Sequence, residues 1–318
     1  MIKIQEIYDS NKLKSSVLTF GNFDGVHLGH SKLIKFLKTL SLKYQLNSVL
    51  LTFSPNTKKI LNNSKNYMFL TSFNLKTSII NNFDIDIICK INFNKDFASL
   101  TADSFMDLII NKYNPKHIVL GYDNKFGKSG LGSYDYLLNN KKYNNITFHN
   151  VEPYALNKLP IKTSTIKSLI TNSDIVSGNN HLGRKFTLSG FVVRGRKIAR
   201  TMGYPTANIK IKRKEQLIPS NGVYSVNLLV NNLIYTAICN IGNKPTFGDY
   251  DKTIEVHILN KHENLYGLNV SIEFNYFIRD ELKFSNKKDL ENQIYKDIEL
   301  ISNKENDSVE WKNKKRFW

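Results

Sequence analysis

The chain has 318 residues, 41% of them hydrophobic and 12% aromatic, which allows two folded domains and excludes a largely disordered protein. Its 45 Lys and Arg against 27 Asp and Glu give a net charge of +18. Such an excess of positive charge would suit a protein that binds nucleic acid. The lysines are scattered along the chain, however, which favours AT-rich codon usage as the origin of the charge. A positive field would also attract anionic, phosphorylated substrates.

The two cysteines, Cys89 and Cys239, each lie in an apolar run without metal-ligand spacing, which predicts buried free thiols in a reducing compartment. The N-terminus lacks the apolar core of a signal peptide, and no stretch approaches the ~20 apolar residues that cross a bilayer. We therefore expect a cytoplasmic protein without a membrane partner. The sequence carries no signal for its oligomeric state.

The chain opens with an apolar strand at residues 17–20, a turn rich in glycine, and a helical pattern from Ser31. A strand, a glycine-rich turn and a helix N-terminus together bind anions, because the backbone can approach closely and the first N–H groups of the helix are unpaired. His27 and His30 add side-chain donors at the same place. Neither the dinucleotide-binding glycine pattern nor the P-loop pattern is present, so we predict a nucleotide site of another kind.

Apolar strands and helices continue to alternate through residues 1–160, which predicts an α/β domain with a parallel sheet covered on both faces. The predicted elements are strands at 48–53, 86–91 and 117–122 and a helix at 102–110. Ligands bind beyond the C-terminal ends of parallel strands. The opening turn, the loop after Phe53 and the loop from Gly121 to Gly132 therefore converge on one crevice. A hydroxyl-rich segment, Thr163 to Thr165, then enters a short helix, and a polar stretch follows at 173–180.

From Phe186 the pattern changes to short alternating strands with turn signals, which predicts a closed antiparallel β-barrel. The predicted strands span 187–193, 222–228, 233–240, 253–259 and 270–278. A closing C-terminal helix is predicted over 286–302 by apolar residues at helical spacing: Leu290, Ile294, Ile298 and Ile301. The polar segment beyond it is expected to fray. We place the domains at 1–180 and 181–303, followed by a polar tail at 304–318.

The stretch from Gly21 to His30 resembles the HxGH signature of the bacterial bifunctional riboflavin kinase/FMN adenylyltransferase family, and the resemblance extends from Val17 to about residue 300. It implies a Rossmann-like nucleotidyltransferase fold for the first half. In that family the two histidines are catalytic: they bind ATP phosphates and stabilise charge as the FMN phosphate attacks the α-phosphorus and pyrophosphate leaves. The nucleotide-binding residues implied here are Gly21, Asn22, Phe23, Asp24, Gly25, His27, Gly29 and His30.

A second stretch resembles the flavin and nucleotide loop of the family and implies flavin-binding by Gly121, Asp123, Phe126 and Gly127. Two segments depart from the family pattern. Asn56 and Thr57 follow Pro55 where the family has Pro-His-Pro, and Lys167 stands where it has arginine. The second segment implies nucleotide binding by Ser164, Thr165 and Lys167. Lysine keeps the charge but loses the planar two-pronged grip on phosphate, so we expect a working but weakened adenylyltransferase.

The second half resembles riboflavin kinases. The stretch Gly203 to Asn208 is similar to their Gly-Phe-Pro-Thr-Ala-Asn motif, whose threonine and asparagine offer oxygen ligands to Mg²⁺. The resemblance makes Glu255 the base that accepts the proton of the ribityl hydroxyl as it attacks the γ-phosphate, and leaves His257 as structural. Arg279 fits a flavin contact or a surface ion pair equally well. The implied nucleotide-binding residues are Gly195, Gly203, Pro205, Thr206 and Asn208, with Thr206 and Asn208 also as metal ligands.

These motifs predict a two-domain enzyme that phosphorylates riboflavin with ATP to FMN and then adenylylates FMN with ATP to FAD and pyrophosphate, with Mg²⁺ needed by both reactions. Its partners are then small flavins and ATP. Two alternatives stay open. One is a kinase that makes FMN only, because its N-terminal half has lost activity. The other is a basic nucleic-acid-binding protein that uses the nucleotidyltransferase-like fold as a binding module.

Overall fold

A computed structural model describes residues 3–7, 12–61, 67–194, 206–212, 215–243, 252–259 and 265–314. The chain divides into two compact units, residues 1–166 with 181–183 and residues 167–180 with 184–318. None of the helices described within these ranges is long and apolar enough to span a membrane.

The first unit contains a six-stranded sheet in which all neighbouring strands are parallel. Its strands are β1 (Lys3–Glu6), β2 (Ser16–Gly21), β3 (Asn47–Ser54), β4 (Ile87–Asn92), β5 (Pro115–Gly121) and β6 (Thr147–Val151), in the spatial order β1-β4-β3-β2-β5-β6. The predicted parallel α/β domain is confirmed, and its four predicted strands are β2 to β5. The edge strands β1 and β6 were missed because most of their residues are polar.

Helices cover both faces of this sheet: α1 (Leu28–Tyr44), α2 (Thr57–Leu61), α3 (Phe73–Asn81), α4 (Lys95–Ala98), α5 (Ala102–Tyr113) and α6 (Tyr134–Leu138). The adjacent strand residues Val17 and Leu18 are both fully buried but belong to two different clusters. Val17 packs with Ile34 of α1, and Leu18 shares its cluster with Met106 of α5. Burial on both faces explains why these strands are apolar throughout. A short hairpin of β7 (Ala155–Leu156) and β8 (Leu159–Pro160) follows.

The second unit contains a closed six-stranded antiparallel barrel. Its strands are β9 (Phe186–Val193), β10 (Thr206–Ile211), β11 (Gly222–Val230), β12 (Leu233–Asn243), β13 (Lys252–Ile258) and β14 (Asn269–Arg279), in the order β10-β13-β12-β11-β14-β9. The predicted barrel and its five predicted strands are confirmed, and β10 completes it. Cys239 of β12 and Cys89 of β4 are buried and form no disulfide within the residues that the structure describes, as predicted. Burial raises the pKa of the Cys239 thiol.

Side chains alternate between the inside and the outside of the barrel wall. Val256 of β13 is 1% exposed and faces inward, so its neighbours Glu255 and His257 lie on the outer face. A long helix at the end of the chain, α9 (Lys287–Lys314), covers part of that face. The contact is an apolar cluster from the barrel wall and the helix: Val223, Ile238 and Ile301, with Leu259, Ile278 and Ile298 at its margin.

Two helical segments differ from the sequence predictions. The helix predicted after Thr163 is α7 (Thr163–Thr171), but the polar stretch beyond it forms a second helix, α8 (Ile175–Leu182). The predicted closing helix is confirmed as α9, but it continues to Lys314, so the expectation of a frayed tail is wrong up to that residue. Apolar periodicity ends near residue 302, whereas the next residues contain no Gly or Pro that would stop a helix.

Candidate active sites

The first candidate site lies where the turn after β2 meets α1. His27 is the N-cap of α1, and its Nδ1 accepts a hydrogen bond from the His30 N–H at 3.4 Å. The first N–H groups of a helix have no partner within the helix, so this end carries a partial positive charge. The strand, turn and helix N-terminus predicted from the sequence are therefore present, and their arrangement suits an anion.

The two histidine rings of this site stack on each other. The centroids of His27 and His30 lie 3.7 Å apart and their planes differ by 20°. A Cβ at Gly29 would stand 3.2 Å from the His27 ring, so glycine leaves room for it. Burial, the neighbouring His27 and the charge of Lys76 lower the pKa of His30 well below its usual value. His30 is therefore neutral at pH 7, with one ring N–H to donate.

Hydrogen bonds of two side chains fix the turn between β2 and α1. The Asn22 amide donates to Thr57 Oγ1 at 2.8 Å, and its Oδ1 accepts from the Thr57 N–H at 3.0 Å. The buried Asp24 carboxylate accepts from the backbone N–H groups of Leu70 at 2.8 Å and Thr71 at 3.3 Å. The side chains of Asn22 and Asp24 therefore fix the shape of the turn, and their binding of nucleotide stays a prediction.

The turn contains two residues in the left-handed region of backbone conformation that are not glycine. Phe23 has φ 46° and Val26 has φ 41°. Val26 is β-branched and 1% exposed, so this conformation is strained by about 1–3 kcal/mol and must be imposed by its surroundings. Strain of this kind concentrates at functional sites, which agrees with the position of the turn.

A pocket of about 220 Å³ is lined by the two histidines and by residues from the C-terminal side of the sheet. Its wall brings together several predicted residues: His27, Gly29, His30, Gly121, Asp123 and Ser164. Thr163 also lines it, with its Oγ1 3.3 Å from His27 Nε2. Other predicted residues of this unit do not line it: Gly21, Asn22, Phe23, Asp24, Gly25, Phe126, Gly127 and Thr165.

Phe126 and Gly127 shape the loop after β5. Phe126 is 7% exposed and packs edge-on against Phe20, with ring centroids 5.2 Å apart. Gly127 has φ 71°, and a Cβ there would lie 2.6 Å from the backbone nitrogen of Ala102. The structure therefore puts the Phe126 ring into the core and the Gly127 backbone against α5. Neither residue lines the pocket of about 220 Å³, and their binding of flavin stays a prediction.

The two departures from the family pattern have different structural settings. Thr57 is the hydrogen-bond partner of Asn22, so this residue supports the turn. Its neighbour Lys58 lines the pocket, as does Lys162, and both bring positive charge to it. Lys167 lies one helical turn after Thr163 on α7.

The second candidate site lies on the outer face of the barrel wall formed by β10 and β13. In the strand register Thr206 lies opposite His257, and Asn208 lies opposite Glu255. Directly opposite residues share a face, so these four side chains are neighbours. Thr206 Oγ1 donates a hydrogen bond to Glu255 Oε2 at 3.4 Å. The carboxylate therefore stands beside the hydroxyl predicted to bind a metal.

A pocket of about 340 Å³ opens over this face. One part of its wall is polar: Thr206, Asn240, Glu255 and His257. Another part is apolar and comes from the segment after β14 and from α9: Leu282, Phe284, Leu290 and Ile294. Asn208 does not line the pocket. The combination fits a ligand with both a polar and an apolar part.

Arg279 forms a partly buried ion pair, in which its own side chain is 19% exposed, whereas the sequence suggested a flavin contact or a surface ion pair. Its Nε and Nη2 donate to the carboxylate of Asp297 on α9 at 3.0 Å and 2.8 Å. The Asp297 side chain is 5% exposed, and it also accepts from Gln293 Nε2 at 2.9 Å. Arg279 and Asp297 both line the pocket. The ion pair thus joins the end of β14 to α9 beside the pocket.

Asp297→Asn should destabilise the barrel unit by about 3 kcal/mol, because Arg279 would keep its charge and lose its partner. Urea unfolding followed by circular dichroism measures the effect, as a lower midpoint for this unit. Glu299→Gln, on the exposed side of the same helix, is the matched control and should leave the midpoint unchanged. Equal midpoints for both variants would show that the ion pair does not hold α9.

The chemistry of the barrel face fits a hard divalent cation. Thr206 and Glu255 present oxygen atoms 3.4 Å apart, and Asn208 lies on the same strand face. No three His, Cys, Asp or Glu side chains come close enough to hold a metal within the ranges that the structure describes. Gly195, Gly203 and Pro205, which were predicted to bind nucleotide, lie outside the described residues.

Comparison with known families agrees with the two units. Residues 9–165 match the family model described as FAD synthetase, and residues 182–304 match the one described as riboflavin kinase. The two matches follow each other in the order predicted from the HxGH and Pro-Thr-Ala-Asn motifs.

Relatives match over nearly the whole chain. A bifunctional riboflavin kinase/FMN adenylyltransferase of Buchnera aphidicola is 38% identical over 94% of this chain and 97% of its own. Proteins of the same name from Bacillus subtilis and Escherichia coli are 34% and 30% identical, covering 89% and 88% of this chain and 90% of their own. A crystal structure from Streptococcus pneumoniae, titled as a macrolide-efflux protein, superposes with a TM-score of 0.87 at 28% identity over 94% of this chain and 97% of that one.

Proposed function

The chain belongs to the bifunctional riboflavin kinase/FMN adenylyltransferase family, and from this premise we propose which residues carry each of its two reactions. It phosphorylates riboflavin with ATP to FMN and ADP, and it adenylylates FMN with ATP to FAD and pyrophosphate. We assign the first reaction to the barrel pocket and the second to the histidine pocket. The stacked pair of His27 and His30 at the N-terminus of α1 is the observation on which the second assignment rests.

Adenylylation requires donors that meet developing charge, and no covalent intermediate. As an oxygen of the FMN phosphate attacks the α-phosphorus, negative charge grows on its oxygens and on the departing pyrophosphate. Neutral His30 donates one ring N–H to that charge, and His27 stands stacked beside it. The N-terminus of α1 adds backbone N–H groups. Lys58 and Lys162 supply positive charge for the triphosphate and pyrophosphate at the same pocket.

Phosphorylation requires a base beside the attacking hydroxyl. Glu255 accepts the proton of the terminal ribityl hydroxyl as its oxygen attacks the γ-phosphorus and ADP leaves. The hydrogen bond from Thr206 orients the carboxylate. The apolar part of the wall, which includes Leu282 and Phe284, packs against the isoalloxazine ring, and Arg279 stands at its edge.

We further infer that Thr206 and Asn208 hold Mg²⁺, since threonine and amide oxygens are ligands that this ion accepts. When bound, the ion neutralises phosphate charge. The burial of Cys89 and Cys239 in apolar surroundings, without a disulfide framework, supports a cytoplasmic location.

Each half-reaction is tested with its own substrate. Riboflavin and Mg-ATP should yield FMN and ADP, and FMN with Mg-ATP should yield FAD and pyrophosphate, with the flavins separated by chromatography. Conversion of riboflavin to FMN without conversion of FMN to FAD would show that the protein is a riboflavin kinase without adenylyltransferase activity. Salt-sensitive binding of nucleic acid without any flavin product would favour the binding module.

Lys167→Arg should raise kcat/KM for FAD formation by about threefold to tenfold, because a guanidinium binds phosphate through two parallel hydrogen bonds. Riboflavin phosphorylation by the same variant is the internal control and should not change. Lys35→Arg, at an exposed position of α1, controls for the added guanidinium. If adenylylation stays at the wild-type rate, Lys167 does not contact phosphate.

A further inference from the structure

A buried lysine binds the backbone of the turn between β2 and α1. Lys76 of α3 is 5% exposed, and its Nζ donates to the backbone oxygen of Asn22 at 2.7 Å and to Thr52 Oγ1 at 3.0 Å. The Thr52 hydroxyl donates in turn to the same Asn22 oxygen at 3.2 Å. The three groups close a ring of hydrogen bonds around one carbonyl.

This ring fixes the orientation of the peptide between Asn22 and Phe23. Because a trans peptide is planar, its N–H points to the side opposite its carbonyl. With the Asn22 oxygen drawn toward Lys76, the Phe23 N–H faces away from it. Phe23 has a left-handed φ of 46°, which its own side chain does not favour. External hydrogen bonds are therefore needed to keep the peptide in this orientation.

The position is unfavourable for an ammonium group. Burial lowers the pKa of Lys76 to about 8, against the attraction of Asp24, which raises it. A hydrophobic residue would avoid that desolvation, so burial by itself does not favour a lysine at this position. Its charge also acts on His30, where it adds to burial and to the neighbouring His27 in lowering the pKa. A further ionisable group at this place is Tyr67, whose hydroxyl donates to Asp24 at 3.2 Å.

We propose that Lys76 is a positioning residue of adenylylation, which holds the Asn22–Phe23 peptide in place and directs its positive charge at His30. Lys76 does not line the pocket, so it acts through these groups and not by contact with ATP or FMN. The proposal rests on the assignment of adenylylation to His27 and His30, and it extends that assignment to a residue outside the motif.

The first test is Lys76→Met, which keeps the length of the side chain and removes its charge and its donors. We expect kcat for FAD formation from FMN to fall by about tenfold or more, with both KM values within about threefold of wild type. Riboflavin phosphorylation should be unchanged. Lys35→Met, at an exposed position of α1, is the matched control. A wild-type kcat for Lys76→Met would overturn the proposal.

The second test does not need activity. NMR titration of the His30 ring should give a higher pKa in Lys76→Met than in wild type, because a nearby positive charge is gone. An unchanged value would contradict the electrostatic role, even if adenylylation were absent in wild type and the proposed function had failed. Should Lys76→Met not fold, Thr52→Val and Thr52→Ser replace it. A lower kcat for FAD formation in Thr52→Val than in Thr52→Ser would support the role of the hydrogen-bond ring. Equal kcat values in the two variants would overturn the proposal.

Discussion

Glu255→Gln should slow the conversion of riboflavin to FMN by about a hundredfold or more, while FMN supplied directly is still converted to FAD. Glutamine keeps the shape and the hydrogen bond to Thr206 but cannot accept the ribityl proton. Loss of a general base lowers kcat by a factor of about 10²–10⁴. The measurement is the initial rate of FMN and ADP formation from riboflavin and Mg-ATP.

Glu273→Gln is the matched control, because Glu273 lies on β14 and outside the pocket wall. Its rates in both reactions should equal those of wild type. Normal phosphorylation of riboflavin by Glu255→Gln would show that another group takes the proton. His257, which lines the same pocket, would then be examined first.

His30→Ala has the opposite effect: it lowers FAD formation from FMN by about 10²–10³ in kcat and leaves riboflavin phosphorylation near the wild-type rate. The ring N–H that meets the charge on the phosphates is lost. The assay measures pyrophosphate release from FMN and Mg-ATP. His117→Ala serves as control, since His117 lies in the same sheet and outside the pocket. Equal FAD formation by the two variants would contradict the role of His30.

The protonation state of His30 predicts how folding stability and the rate of adenylylation depend on pH. Its pKa is lowered in the fold, first by burial, so the ring stays neutral as the pH falls from 8 to 6. Protonation of His30 therefore favours the unfolded chain. The contribution of the neutral His30 ring to folding stability is complete above its pKa in the unfolded chain, about 6.5, and is lost as the pH falls below that value. Adenylylation should show no acid limb from His30 between pH 6 and 8.

The sequence predicted those helices and strands whose buried residues form a recognisable apolar pattern. Central strands such as β2 are buried on both faces and therefore apolar throughout. The edge strand β6 was missed because three of its five residues are polar: Thr147, His149 and Asn150. The extension of α9 beyond residue 302 was missed for a related reason, because helix propensity continues there after the apolar stripe has ended.

The sites were predicted as motifs, but a motif does not tell where a side chain points. His27 and His30 line the pocket, whereas the Phe126 ring packs in the core and the Asp24 carboxylate accepts hydrogen bonds from backbone N–H groups. Lys76 was missed because a lysine within a helical pattern is usually exposed. One signal was available: Lys76 precedes Ile80 by one turn and so lies on the buried face of α3.

The most direct test of the account mixes the two inactive variants. With riboflavin and Mg-ATP, His30→Ala alone should accumulate FMN, and Glu255→Gln alone should produce no new flavin. Together they should form FAD, because FMN made by one variant is adenylylated by the other. FAD formation by either variant alone, or its absence from the mixture, would contradict two separate active sites in one chain.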